Sequence, residues 1–376
     1  MSIEAFRIEF PQPALDDLHD RLDRVRWPDE LPGVGWSYGV PLGYLQELVH
    51  YWRHSYNWRA AEAKLNEWPQ FVTTIDGARI HFAHLRSAEP DAIPLLISHG
   101  WPGSIAEFTE LAGLLTSFHL VIPSIPGFGL SGPTRETGWE HKRVAAAYGV
   151  LMEELGYSRY GVQGGDWGAA IVREVGRIHP DRVIGVHLNL IPGAGATHEP
   201  TEDELAPLDL AERERTIASW QRFQGWAKDK QGYADVQSTR PQTLSYALTD
   251  SPVGQLAWIA EKFEEWSDGG IERDLLLTNV MLYWLTGTAG SSSRIYYERA
   301  HAPYWGQPDE PSPVPTAMAD FPRDNFIPLR HLAEPATNIV RWTTFDRGGH
   351  FPAMEQPELL AGDITAFFAS VSGAGG

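Results

Sequence analysis

The chain of 376 residues contains no cysteine. Disulfides, thiolate catalysis and Cys-ligated zinc are excluded together, while a reducing compartment is permitted. Positive charge is scarce, with 30 Lys and Arg against 49 Asp and Glu and a formal net charge of -19. Nucleic acid and anionic membrane surfaces are polyanions that need a basic patch, so neither is an expected partner. No run of about 18 apolar residues occurs. The start, Met1-Ser2-Ile3-Glu4-Ala5-Phe6-Arg7, lacks a basic stretch leading into an apolar one. Neither a membrane span nor an export signal is expected, and a cytoplasmic protein is the reading that remains. No His-Glu-x-x-His pattern is present and no Gly-x-Gly-x-x-Gly pattern implies a nucleotide site, so neither a metal nor an organic cofactor is expected.

What is present is enough chain for a main domain with added elements. Residues 1–68 read as helical and rich in Trp, with Leu15, Leu18 and Leu22 on one helical face and a second amphipathic run from Pro41 to Trp52. From Phe71 the period shortens to strands. Phe71-Val72-Thr73-Thr74-Ile75 and Arg79-Ile80-His81-Phe82-Ala83-His84-Leu85 flank Asp76-Gly77, the pattern of a hairpin. Strands and helices then alternate through residues 69–192, which predicts an α/β fold with a mostly parallel sheet covered on both faces. Residues 193–311 break the alternation with helical, aromatic, charged sequence, and strands return in 312–376. The interruption reads as a helical lid inserted into the sheet domain.

Within that frame, Gly161-Val162-Gln163-Gly164-Gly165-Asp166-Trp167-Gly168 reads as a buried strand entering a sharp turn with a carboxylate at its apex. Gly164 and Gly168 are the small residues that a strained strand-to-helix elbow requires. Such elbows usually carry Ser; the Asp here is a candidate nucleophile. His99-Gly100-Trp101-Pro102-Gly103-Ser104 lies between a strand and a helix, at the sheet edge where such folds bind ligands. The amides of Trp101 and Trp167 are candidates for an oxyanion hole. His99, Trp101, Pro102 and Trp167 are the candidate substrate contacts.

Asp346-Arg347-Gly348-Gly349-His350-Phe351 follows the last predicted strand. The order nucleophile, acid, histidine is that of the hydrolase triads built on this kind of sheet, which makes His350 the general base. The acid that orients it is Asp324, with Asp320 as the rival. Either carboxylate is also a plausible turn residue or helix cap.

Taken together, these motifs resemble the microsomal-type epoxide hydrolases of the α/β-hydrolase fold over nearly the whole chain. Arg26-Trp27-Pro28, Trp36 and Tyr56-Asn57-Trp58-Arg59 are similar to that family's N-terminal domain. The resemblance implies two lid tyrosines that donate to the epoxide oxygen, at the positions of Tyr233 and Tyr296, with Tyr297 leaving a one-residue ambiguity. It implies a homodimer as well. The triad acid is often Glu in vertebrate members, whereas the matching position here is Asp324, and the N-terminal membrane anchor of those members is not expected here.

The chemistry suits the residues. Epoxide opening needs a nucleophile at carbon and an acid at oxygen, which a carboxylate and two phenols provide. Water activated by His350 would then cleave the Asp166 ester, with the amides of Trp101 and Trp167 holding the oxyanion, to release a vicinal diol. A haloalkane dehalogenase and a catalytically silent binder of apolar ligands are the alternatives. Trp220, Phe223, Trp226, Trp258, Phe263, Trp266, Tyr283 and Trp284 either line an aromatic pocket for a bulky or aryl epoxide or form the lid core, and core is favoured for most of them.

Overall fold

The structure, a computed structural model, describes residues 2–307 and 310–372. The Gly-rich end at 373–376 lies outside them. Among the described residues nine strands form one sheet: β1 (Glu4–Phe6), β2 (Gln70–Ile75), β3 (Ala78–Leu85), β4 (Ile93–Ser98), β5 (Phe118–Pro123), β6 (Tyr160–Gly164), β7 (Val183–Leu188), β8 (Ser312–Asp320) and β9 (Thr337–Thr344). Their order is β1-β2-β3-β5-β4-β6-β7-β8-β9. The first three strands and the β3/β5 pair are antiparallel, and the rest are parallel.

Local chemistry accounts for the hairpin. Asp76 and Gly77 both take positive φ, 49° and 76°, which matches the right-handed twist of the flanking strands. The central parallel strands, β4 to β7, are largely buried on both faces, as in Leu95, Leu96 and Ile97 of β4, each at 0% exposure.

Chain order reverses at β4: the next strand, β5, lies on one side and β6 on the other. A crevice opens at such a switch point beyond the carboxyl ends of the strands. The loops after β4, β6 and β9 all emerge there. The lid helices lie in sequence between β7 and β8.

The leading segment is helical apart from β1, a strand that the sequence reading missed. Three residues are too few for a period-two signal, and β1 exists because β2 offers it an unpaired edge. The segment also grips the lid: the Trp52 indole donates to Met281 Sδ at 3.3 Å, the hydroxyls of Tyr56 and Thr278 lie 2.9 Å apart, and Tyr51 donates to Asp274 at 2.8 Å. No helix among the described residues is long and apolar enough to cross a membrane.

Candidate active site

Strand β6 ends at Gly164, and the helix Asp166–Ile178 begins two residues later. The turn is sharp enough to force Asp166 to φ 48°; Asp76 is the other described non-glycine with positive φ. The left-handed conformation costs an L-residue about 1–2 kcal/mol, which the packed elbow sustains. Gly168 shows why the elbow closes only around small residues, since a Cβ there would lie 2.0 Å from the Ser98 carbonyl oxygen.

Asp166 is thereby aimed at two partners. The Trp101 amide donates to its Oδ1 at 2.8 Å, and His350 Nε2 lies 3.5 Å from its Oδ2. The Trp167 N–H belongs to the first turn of the helix, where amides have no intrahelical acceptor. The Trp101 amide thus meets the carboxyl group directly, and the Trp167 amide follows it in the chain at the start of the helix.

The other ring nitrogen of His350, Nδ1, lies 2.7 Å from Asp324 Oδ1, and both side chains are buried. Asp320 sits instead at the end of β8, paired with Arg215 at 2.5 Å. Burial disfavours the imidazolium, but Asp324 and then Asp166 outweigh it and hold the imidazole well above its usual range. The loop that carries it is fastened by Glu355, which accepts from the amides of Gly349, Phe351 and Asp268, and the His350 amide donates to the Trp266 carbonyl at 2.8 Å.

Across from Asp166 stand Tyr233 and Tyr296. Tyr233 stacks on Trp101 with ring centroids 5.2 Å apart, and Tyr296 packs edge-on against Trp101 and Trp167 at 5.8 and 4.8 Å. Both phenols are held above their ordinary range, mainly by burial, so they stand as protonated donors at neutral pH. For Tyr233 the next cause is the Asp166 charge; for Tyr296 it is Tyr233, with Asp166 after it. Tyr297 points elsewhere, stacking on His301 at 3.9 Å. The sequence reading missed Lys262, whose ammonium stands 4.8 Å from the Tyr233 ring centroid between Glu261 and Glu265. Nothing in its sequence context distinguishes it from a surface lysine.

A cavity of about 420 Å³ opens on Asp166, Trp167, Tyr233 and Tyr296. A larger groove, about 930 Å³, lies between the leading segment and the lid and contains none of these residues, so the chemistry assigns the smaller one to substrate. The four expected substrate contacts stand at different places in this geometry. His99, Trp101 and Pro102 do not line the 420 Å³ cavity, whereas Trp167 does.

His99 is a structural brace: its Nε2 accepts from the Ile125 amide at 3.2 Å, which leaves Nδ1–H to donate to the Gly100 carbonyl at 3.0 Å. Burial lowers it to about 4 and keeps it neutral. The Pro102 carbonyl accepts from Asn279 at 2.8 Å, and the Trp101 ring backs the two tyrosines. Of the eight lid aromatics, Trp226 lines the cavity, while Phe263, Trp266 and Tyr283 are core.

Comparison with known proteins shows the family and the fold. Residues 3–108 match the family model "Epoxide hydrolase N terminus", and residues 93–225 match "alpha/beta hydrolase fold". A Stigmatella aurantiaca protein described as "Putative epoxide hydrolase" is 43% identical over 97% of this chain and 84% of its own. Epoxide hydrolase 1 of Oryctolagus cuniculus is 34% identical over 98% of this chain and 89% of its own. Among solved structures, the Aspergillus niger epoxide hydrolase superposes with a TM-score of 0.87 at 33% identity, covering 99% of this chain and 97% of that one. The juvenile hormone epoxide hydrolase of Bombyx mori gives 0.91 at 29%, covering 100% and 96%.

Proposed function

The chain belongs to the microsomal-type epoxide hydrolases of the α/β-hydrolase fold, and on that premise we propose that it converts its epoxide through a covalent ester on Asp166. The carboxylate attacks a ring carbon, the C–O bond of the epoxide breaks, and Tyr233 and Tyr296 both hydrogen-bond the departing oxygen, one of them giving it a proton. The observation that carries this reading is the placement of Asp166 between the Trp101 amide and His350, with both tyrosines on the cavity wall it faces.

Ester formation changes the electrostatics in a useful direction. Asp166 loses its charge, so one of the two carboxylates that keep His350 protonated disappears, and the imidazole becomes able to accept a proton. The same loss removes the repulsion that Asp166 exerts on phenolate character at both tyrosines. Water then attacks the ester carbonyl, His350 takes its proton, Asp324 orients the ring, and the amides of Trp101 and Trp167 receive the oxyanion.

A pocket of about 420 Å³ with Trp167, Trp226, Phe326 and Leu190 in its wall supports a bulky or aryl-substituted epoxide as the substrate class. The mechanism is tested by a single turnover in ¹⁸O-labelled water. Label in the Asp166 peptide and none in the first diol supports the ester; label in the first diol alone means direct attack by water and overturns it.

A further inference from the structure

Glu107 is a buried acid beside Asp166 that the reaction above does not use. It sits in the short 3₁₀ helix Ile105–Phe108 that follows the Trp101 loop. Its carboxyl group folds back over Gly103, where an added Cβ would lie 1.3 Å from Oε1, so the glycine makes room for it. The loop it lies on is clamped from the lid by Tyr283, whose hydroxyl donates to the Gly103 carbonyl at 2.6 Å.

Beside Glu107 lies a second, much smaller cavity, about 20 Å³, lined by Glu107, Gln163, Asp166 and His350 among others. Roughly 10–15 Å³ on such a measure admits one water, and a buried water needs two to four polar partners. The partners are on hand. Glu107 Oε1, Gln163 Oε1 and His350 Nε2 are all buried without a hydrogen-bond partner among the described residues. Orphaned buried polar atoms are rare in native proteins and point to a bound water or a function; three lining one water-sized space is a concentrated case.

Placement completes the case. Asp166 is the single residue that this space shares with the 420 Å³ substrate cavity. Substrate therefore reaches the carboxyl group from one side and the small space meets it from another, next to the base.

We propose that the small cavity binds the hydrolytic water and that Glu107 is the positioning residue that holds it against His350 and the ester carbon. The inference rests on the ester mechanism proposed above. In the step itself the water oxygen bonds to the Asp166 carbonyl carbon and one water proton passes to His350 Nε2. The ester C–O bond then breaks, the released alkoxide takes the proton back from the imidazolium, and Asp166 keeps the oxygen of the water while the second water proton returns to the phenolate left by ring opening. Burial, ahead of the Asp166 charge, raises Glu107 to about 8. As a neutral acid it holds the water by hydrogen bonds without competing with His350 for the proton.

The test follows the two half-reactions separately by quenched-flow intact mass, with styrene oxide as the probe. In Glu107→Leu, ester decay slows by about 10- to 100-fold, the scale of misplacing a reactant by about an ångström, while ester formation stays within about 2-fold of the unsubstituted enzyme. Adduct consequently accumulates at steady state. Glu107→Gln, which keeps a carbonyl oxygen at the same reach, restores most of the loss and guards against a folding defect in the leucine variant. Equal slowing of both steps assigns Glu107 to the fold and overturns the proposal, as does unchanged ester decay in both variants. Failure of His350→Gln to form any adduct on Asp166 brings down the ester mechanism itself, and the proposal with it.

Discussion

His350 Nδ1 and Asp324 Oδ1 lie 2.7 Å apart with both side chains buried, joining the loop after β9 to the loop after β8. A buried carboxylate in that position selects the tautomer whose Nε2 faces Asp166 and stabilises the ring when it takes a proton. Asp324→Asn preserves the shape and removes both effects. Ester hydrolysis in that variant falls by roughly 10³–10⁴-fold, and ester formation falls far less. Asp320→Asn breaks the pair with Arg215 and leaves hydrolysis near its original rate. Single-turnover traces of the two variants check the assignment.

Tyr233→Phe and Tyr296→Phe each remove a donor to the departing oxygen. Each slows ester formation by about 10²-fold or more, and the double variant forms no measurable ester. Tyr297→Phe leaves the rate close to the original, because that ring stacks on His301 away from the cavity. Stopped-flow fluorescence reads this step through Trp101 and Trp167, which touch the two phenols.

Gly168→Ala tests the elbow. The added methyl meets the Ser98 carbonyl oxygen at 2.0 Å, and the backbone has to yield. Stability drops by about 1–3 kcal/mol, and activity is lost with it as Asp166 moves off the Trp101 amide. Urea unfolding measures the first effect and turnover the second.

Glu107 carries a pH signature. Unfolded, its carboxyl titrates near the ordinary value of 4.5; burial in the folded protein raises it to about 8. Between those values the folded protein holds a proton that the unfolded chain has released, so this group lowers stability as pH rises and the loss is complete above about 8. Glu107→Gln removes that dependence. The midpoint advantage of the Gln variant is absent at about pH 4.5 and grows toward pH 8; parallel midpoint curves for the two proteins would contradict the assignment.

Much of this site is legible in the sequence because it is local. Glycines at 164 and 168 around Asp166, an apolar strand before it and a helix after it state the elbow directly. The loops bearing Trp101 and His350 are marked by their place after strands. Asp324 and Asp320, four residues apart, are not separable by pattern; the end of β8 consigns Asp320 to Arg215 and leaves Asp324 on the loop that reaches His350. Tyr233 and Tyr296 were found by family resemblance, since 13 tyrosines offer no local signal. His99, Trp101 and Pro102 are read as substrate contacts from their neighbourhood, which fixes where a loop lies and not where each side chain points. Glu107 reads in sequence as an acid in the first turn of a helix, a common and unremarked arrangement. Its meaning comes from what surrounds it in space.

The central claim is the covalent role of Asp166, and intact mass tests it most directly. His350→Gln is mixed with aryl and alkyl epoxides beside matched haloalkanes, with Asp166→Ala as the control. The expected result is an adduct of the whole epoxide mass that maps to Asp166 and is absent from the Asp166→Ala protein. No adduct from any epoxide, or an adduct from haloalkanes alone, would contradict it.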